Sequence, residues 1–224
     1  MKINNLIIFI FIFFTLEKAS GQIKDSTLGL TNPDSNLYTT LINRLDSIYK
    51  NDQFYRQKRR VIEKEYGRQS IEIDNLWKKI HEIDSLNLIE VKEIITEFGW
   101  LGADAIGEQG NKAIFLVIQH ADIQTQNYYL PIIREAYKLG NLTSEHLALF
   151  EDRVAIRNGE CQIYGTQIGR NSETGEYYVL PLINPEKVNI RRSKLGLNTL
   201  EDYVSFYDIE WDLDDFIKNT DKCN

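Results

Sequence analysis

Lys112-Ala113-Ile114-Phe115-Leu116-Val117-Ile118-Gln119-His120-Ala121-Asp122 is the stretch on which the fold turns. Six consecutive apolar residues, Ala113 to Ile118, have no polar face, so the element they form is buried all round. Its seven-residue core, Ala113 to Gln119, suits a buried strand by length and β-branching. Helical patterns on both sides, and the lack of a parallel partner strand in the sequence, favour a helix capped by Asn111. A histidine at the end of such an element is held rigidly where the chain leaves the core. His120 is therefore the first candidate for chemistry.

Downstream, Asp122 is placed to cap the next helix, but Thr125 stands where a capping box needs Glu or Gln, so cap and ligand roles both stay open. That helix runs to Leu139 and stops at Gly140, with Pro131 expected in its first turn or at a kink. Thr143 caps a further helix to about Arg157, with Leu142 and Leu147 as a hydrophobic staple. Asp152 on this helix points between the Ala148/Ala155 and Leu149/Ile156 directions. A carboxylate there has to be paired or hydrogen-bonded. Arg153, His146 and Arg157 share another side.

After Gly159 the period changes to two. Cys161 to Ile168, a loop from Gly169 to Gly175, and Glu176 to Leu182 read as a β-hairpin. A lone hairpin is marginal in water, so it must pack on the helices. A short helix starts at Asn184-Pro185, and Asn198 with Glu201 caps a last one through Tyr207.

Upstream, Leu37, Leu41, Leu45 and Ile48 recur at helical spacing, a charged helical segment spans about Gln53 to Tyr66, and a third runs from Ser70 to Asp84. Asn87 with Glu90 predicts the start of a fourth, ending at Gly99. Arg56, Lys58, Arg59 and Arg60 are followed by Glu63, Lys64 and Glu65, the pattern of a solvated helix face and not of an anion site. His81 is read as structural. The glycines from Gly99 to Gly110 lack phosphate-loop spacing and read as turns. The expected fold is mostly α (α+β): a helical bundle with a central buried helix and a C-terminal β-hairpin packed on it.

The chain has 224 residues, 42% hydrophobic and 26% charged, with a formal charge of −7. This is a folded soluble composition, and no basic block stands apart from acids, so nucleic acid is not an expected partner. Residues 1–21 read as a signal peptide: Lys2, an apolar core from Leu6 to Phe14, and Ala19-Ser20-Gly21 before Gln22. The apolar run is too short to span a bilayer, so the expectation is export to the periplasm or beyond with no permanent membrane span. A flexible lead-in (22–36), an N-terminal helical extension (37–93), a main domain (94–207) and an acidic tail (208–224) follow. Cys161 and Cys223 are read as unpaired thiols, with a bridge as the alternative. No cofactor is implied. His120 and Asp122 are two apart and no His-x-x-x-His or Glu-x-x-His set exists, so no metal ligands are assigned. The oligomeric state is left open.

Gly99-Trp100-Leu101, Gln119-His120-Ala121-Asp122, Leu130-Pro131, Asp152-Arg153-Val154, Gln162-Ile163-Tyr164-Gly165-Thr166-Gln167 and Arg191-Arg192 through Gly196-Leu197 occur in this order. The set resembles a widespread bacterial family known only as a domain of unknown function, over roughly Ile94 to Tyr207. The resemblance brings no activity, cofactor or catalytic residue. From the residues themselves, three readings compete. The first is an exported hydrolase- or lyase-like enzyme acting on a small molecule, with His120 as general acid or base oriented by Asp152. The second is a binding module holding a small polar or anionic ligand through Arg153, Gln162, Tyr164, Thr166, Gln167, Arg191 and Arg192. The third is a satisfied buried polar network.

Overall fold

The computed structural model describes residues 33–220. The expected signal peptide and the lead-in as far as residue 32 lie outside the described residues. Eight α-helices and one two-stranded sheet make up the described part. The mostly α fold with a C-terminal hairpin is as expected.

Two long helices form an antiparallel pair. Helix α1 (Pro33–Tyr66) starts on a proline, whose missing N–H is no loss in a first turn. It runs unbroken through both segments read as separate helices. Helix α2 (Ile71–Phe98) is capped by Ser70, whose hydroxyl accepts from Ile73 N at 3.3 Å, and it too absorbs an expected break. Asn87 is not a cap. It lies in the buried interior of α2, where its Nδ2 donates to Ile48 O at 3.5 Å.

The opening stretch is the last part of α3 (Ala103–His120), confirming helix over strand. Gly107, at φ 74° and ψ 161°, puts a kink in it. Asn111 sits inside this helix and not at its cap, and its Nδ2 donates to Leu101 O and Asn141 O at 2.7 and 2.8 Å. Ile114 and Ile118 are fully enclosed, and no residue from Ala113 to Ile118 is more than marginally exposed. They pack with Leu41, Leu45 and Ile48 of α1, Val91 and Ile94 of α2, and residues of the next two helices. Gly110 allows α1 close in: a Cβ there would meet Leu45 Cδ1 at 3.3 Å.

Asp122 caps α4 (Ile123–Lys138), accepting from Thr125 N at 2.7 Å. Pro131 lies mid-helix, beyond the first turn. Helix α5 (Ser144–Arg157) begins at the expected Thr143 cap. The hairpin is shorter than its period-two pattern. β1 (Ile168–Arg170) pairs antiparallel with β2 (Tyr177–Val179), while Cys161 to Gln167 is bend and loop apart from an isolated parallel bridge of Gln162 to Leu182. With α6 (Val188–Lys194) and α7 (Leu200–Ser205) it builds a second core around Leu182, Leu200 and Val204. The acidic tail carries α8 (Leu213–Asn219). Cys161 is disulfide-bonded, against the reading of unpaired thiols; Cys223 lies outside the described residues. No helix among the described residues is long and apolar enough to cross a membrane.

His146 of α5 stacks on Phe115 of α3 with ring centroids 4.0 Å apart, and its buried Nδ1 has no hydrogen-bond partner among the described residues. Burial, followed by the positive charge of Lys112, pushes its pKa down to about 4. An unfolded chain protonates this imidazole near pH 6.5 and the folded one does not, so stability is full above that pH and falls as the pH drops towards 4. His146→Phe keeps the stack and removes the titration. Urea unfolding at pH 7 and pH 4.5 is expected to show the variant losing roughly 2 kcal/mol less than wild type between the two.

Candidate functional site

Three helices converge on His120. Its Nδ1 lies 2.8 Å from Oδ1 of Asp52, on α1, and not beside Asp152. Asp52 is 1% exposed. It accepts from Gln53 Nε2 at 2.6 Å and from Arg56 Nη1 at 3.1 Å. The other end of Arg56 donates to Asp84 Oδ2, on α2, at 2.7 Å. The side chains grade outward: His120 is 6% exposed, Arg56 16% and Asp84 17%. Asp52 is thus the most deeply buried member and the Arg56–Asp84 pair the least, while Nε2 of His120 is itself buried.

The protonation pattern follows from these contacts. Burial pushes the Asp52 carboxyl up, but His120, Arg56 and Gln53 together bring it below its ordinary value, so it is an anion at neutral pH. Burial also pushes His120 down against the pull of Asp52, so the imidazole is neutral at pH 7. A carboxylate only accepts, so the ring proton sits on Nδ1 and the lone pair on Nε2. This is the tautomer a base needs.

Asp52, Asp84 and His120 are also a set whose ligand atoms lie within 4.8 Å of one another. A metal ion there would have to displace the Arg56 guanidinium from both carboxylates. The cation of this cluster is already covalently part of the chain, and we assign no metal to it.

The other residues singled out in the sequence form a different assembly. Asp152 is fully buried on α5. Its Oδ1 accepts from Ile163 N and Tyr164 N at 2.6 and 2.9 Å, and its Oδ2 from Thr166 N and Oγ1 at 2.8 and 2.9 Å. Burial raises its pKa while these donors pull it back. Gln162 spans the same loop, donating to Gln167 O and Leu180 O and accepting from Gln167 N. Gln167 Nε2 reaches Leu149 O at 3.2 Å. Arg191 donates to Ile163 O, Ile183 O and Asn184 O, and Arg192 to Tyr164 O and Asn198 O. Tyr164 is hydrogen-bonded to Glu151, which is paired with Arg134. Burial, with that carboxylate, lifts the phenol to about 12. These groups serve the protein's own backbone, and Asp152 orients a loop, not His120. Arg153 alone reaches towards the first cluster, its Nη1 3.4 Å from Gln119 O. Its pKa falls to about 9, through burial and then the nearby charges of Arg157 and Arg56.

Asp52, Arg56 and Asp84 were missed in the sequence, although a signal was present. Leu41, Leu45 and Ile48 continue at helical spacing to Asp52, and Ile73, Leu76 and Ile80 continue to Asp84. A carboxylate in a position reserved for an apolar side chain marks a buried charge.

Residues 39–214 match a family of unknown function, DUF6624, and the chain belongs to that family. The matched span takes in most of α1 and all of α2, so the segment 39–93 lies within it. No curated protein and no solved structure matches the chain.

Replacing Asp152 by Asn leaves one acceptor oxygen and turns an NH2 group towards loop amides that need acceptors. Thermal unfolding of Asp152→Asn is expected to show a loss of about 3 kcal/mol, with Tm lower by roughly 6–12 °C.

Proposed function

We propose that this family member is an exported enzyme, hydrolase- or lyase-like, acting on a small polar molecule with His120 as its general acid and base. In place of Asp152, Asp52 is the residue that orients the imidazole. The observation that carries the reading is the 2.8 Å contact between His120 Nδ1 and a fully buried carboxylate. Export rests on the sequence pattern of residues 1–21.

The sequence of events starts from neutral His120 with its proton on Nδ1. Nε2 is buried in the structure, so the step requires the site to open; Nε2 then takes a proton from the substrate or from an attacking water, and the imidazolium that forms is stabilised by Asp52. The same nitrogen then returns the proton to the leaving group. Gln53 and Arg56 hold Asp52 in place, so the ring can neither flip nor move its Nδ1 proton to Nε2 without breaking a charge-assisted bond. The non-catalytic binding reading is the weaker, because Gln162, Gln167, Arg191 and Arg192 spend their donors on backbone carbonyls.

A panel of ester, amide, phosphoester and glycoside substrates, turned over by the purified protein beside His120→Ala, tests the assignment. His120→Ala is expected to lose about 10²–10⁴-fold in kcat/KM and Asp52→Asn a comparable factor. Folded Asp152→Asn should keep its specific activity. Equal turnover by wild type and His120→Ala would remove the imidazole from the mechanism. The groups facing His120 are Asp52, Arg56 and Asp84, and burial sets the direction of its shift. The acid limb of kcat/KM is therefore expected to fall with an apparent pKa below 6.5, with full activity above it.

A further inference from the structure

Beyond the site, the distal halves of α1 and α2 form an arm with a core of its own: Ile73, Leu76 and Ile80, with Tyr55 and Ile62 against them. This cluster is separate from the one built around α3. Two properties set the arm apart. Between Phe54 and Ile80 it carries eight Lys or Arg against four Asp or Glu, in a chain whose net charge is −7. It also exposes large apolar side chains, with Phe54 at 50%, Val61 at 64% and Ile71 at 61%. Single exposed apolar residues are ordinary, but here they are interleaved with cations on one short two-helix arm. Lys58 Nζ, for example, lies 3.9 Å from the Phe54 ring centroid.

The complement is in the same chain. From Glu201 to Thr220 there are seven Asp or Glu against one Lys. That segment likewise exposes Phe206 at 54% and Ile217 at 43%. A chain with a basic-apolar surface and an acidic-apolar one is self-complementary. When both arms and both tails engage across one twofold axis, the arm of each copy meets the tail of the other and the contact closes as a dimer. Opposed patches of this kind steer association and fix register, and they weaken with salt.

We propose that the arm is an interface for a second copy of this chain, docking on the acidic 201–220 segment of that copy. Arg60 and Lys64 on α1 are exposed and flank Val61; Glu210 and Asp214 are exposed on the tail. None of the four belongs to the His120 cluster.

Sedimentation velocity on the purified protein tests this. A dimer is expected at 20 mM salt, with its Kd rising at least tenfold at 500 mM. Arg60→Glu with Lys64→Glu should be monomeric at 20 mM salt, and so should Glu210→Lys with Asp214→Lys. Mixing the two monomeric variants should restore a dimer, because the reversed arm then faces the reversed tail and the native arm the native tail. Far-UV circular dichroism checks their folding, and a variant that fails it is replaced by Arg60→Glu or Glu210→Lys alone. A wild-type monomer at 100 μM in low salt overturns the proposal, as does a dimer indifferent to both reversals. A monomer that instead binds phosphatidylglycerol vesicles through Arg60 and Lys64 also overturns it and assigns the arm to an anionic membrane surface.

Discussion

The last turn of a helix leaves carbonyl oxygens without intrahelical donors, and α3 ends inside the protein, where water cannot supply them. Side chains from the two following helices do so. Gln126 of α4 donates to Gln119 O at 2.7 Å, and Arg157 of α5 to Ala121 O at 2.8 Å. Arg153, also of α5, reaches Gln119 O. The all-round apolar character of Ala113 to Ile118 forces this arrangement, because a helix buried on every side has to be closed at its end by the elements that bury it. The same closure leaves one direction for His120, towards α1. Its ring is therefore fixed by the packing of four helices.

Two buried carboxylates show how one chemical group serves different ends. Both Asp52 and Asp152 lose their hydration on folding and both must be surrounded by donors. Around Asp152 three of the four donors are backbone amides of one loop. Those protons stay on their nitrogens at any ordinary pH, so the carboxylate can only shape the loop. Around Asp52 the donors are side chains, and one of them is an imidazole whose second nitrogen is basic. The difference lies in the partner: an amide N–H ends the network, whereas an imidazole relays it.

Much of the architecture could be read from residue patterns. The central helix, the Thr143 cap, the hairpin and its need to pack on helices were all legible, because each depends on local spacing. The breaks expected near residues 50 and 86 were not real, since Asp52, Gln53 and Asn87 look like cap or loop residues until tertiary partners bury them. The site was half legible. His120 stood out by its position, but its carboxylate is 68 residues away in sequence. Asp152 was correctly seen to need partners. Those partners are amides of a loop whose backbone geometry no side-chain pattern records, and the period-two alternation of Cys161 to Ile168 concealed that it is bend and not strand.

Arg56 explains why the first cluster holds together. Asp52 and Asp84 come from different helices and have oxygens within 4.8 Å of each other. Two carboxylates that close, partly out of water, repel each other, and that repulsion favours a proton on Asp52. A neutral Asp52 could offer its own proton to His120 Nδ1, and the imidazole would then place its remaining proton on Nε2, where it is no longer a base. The guanidinium, bonded to both acids, adds to the pull of His120 that holds the Asp52 carboxyl below its ordinary value. It therefore helps to set the tautomer of a ring it does not itself bond. The charge on α1 that reads as part of a solvated basic face in this way contributes to the chemistry at the end of α3.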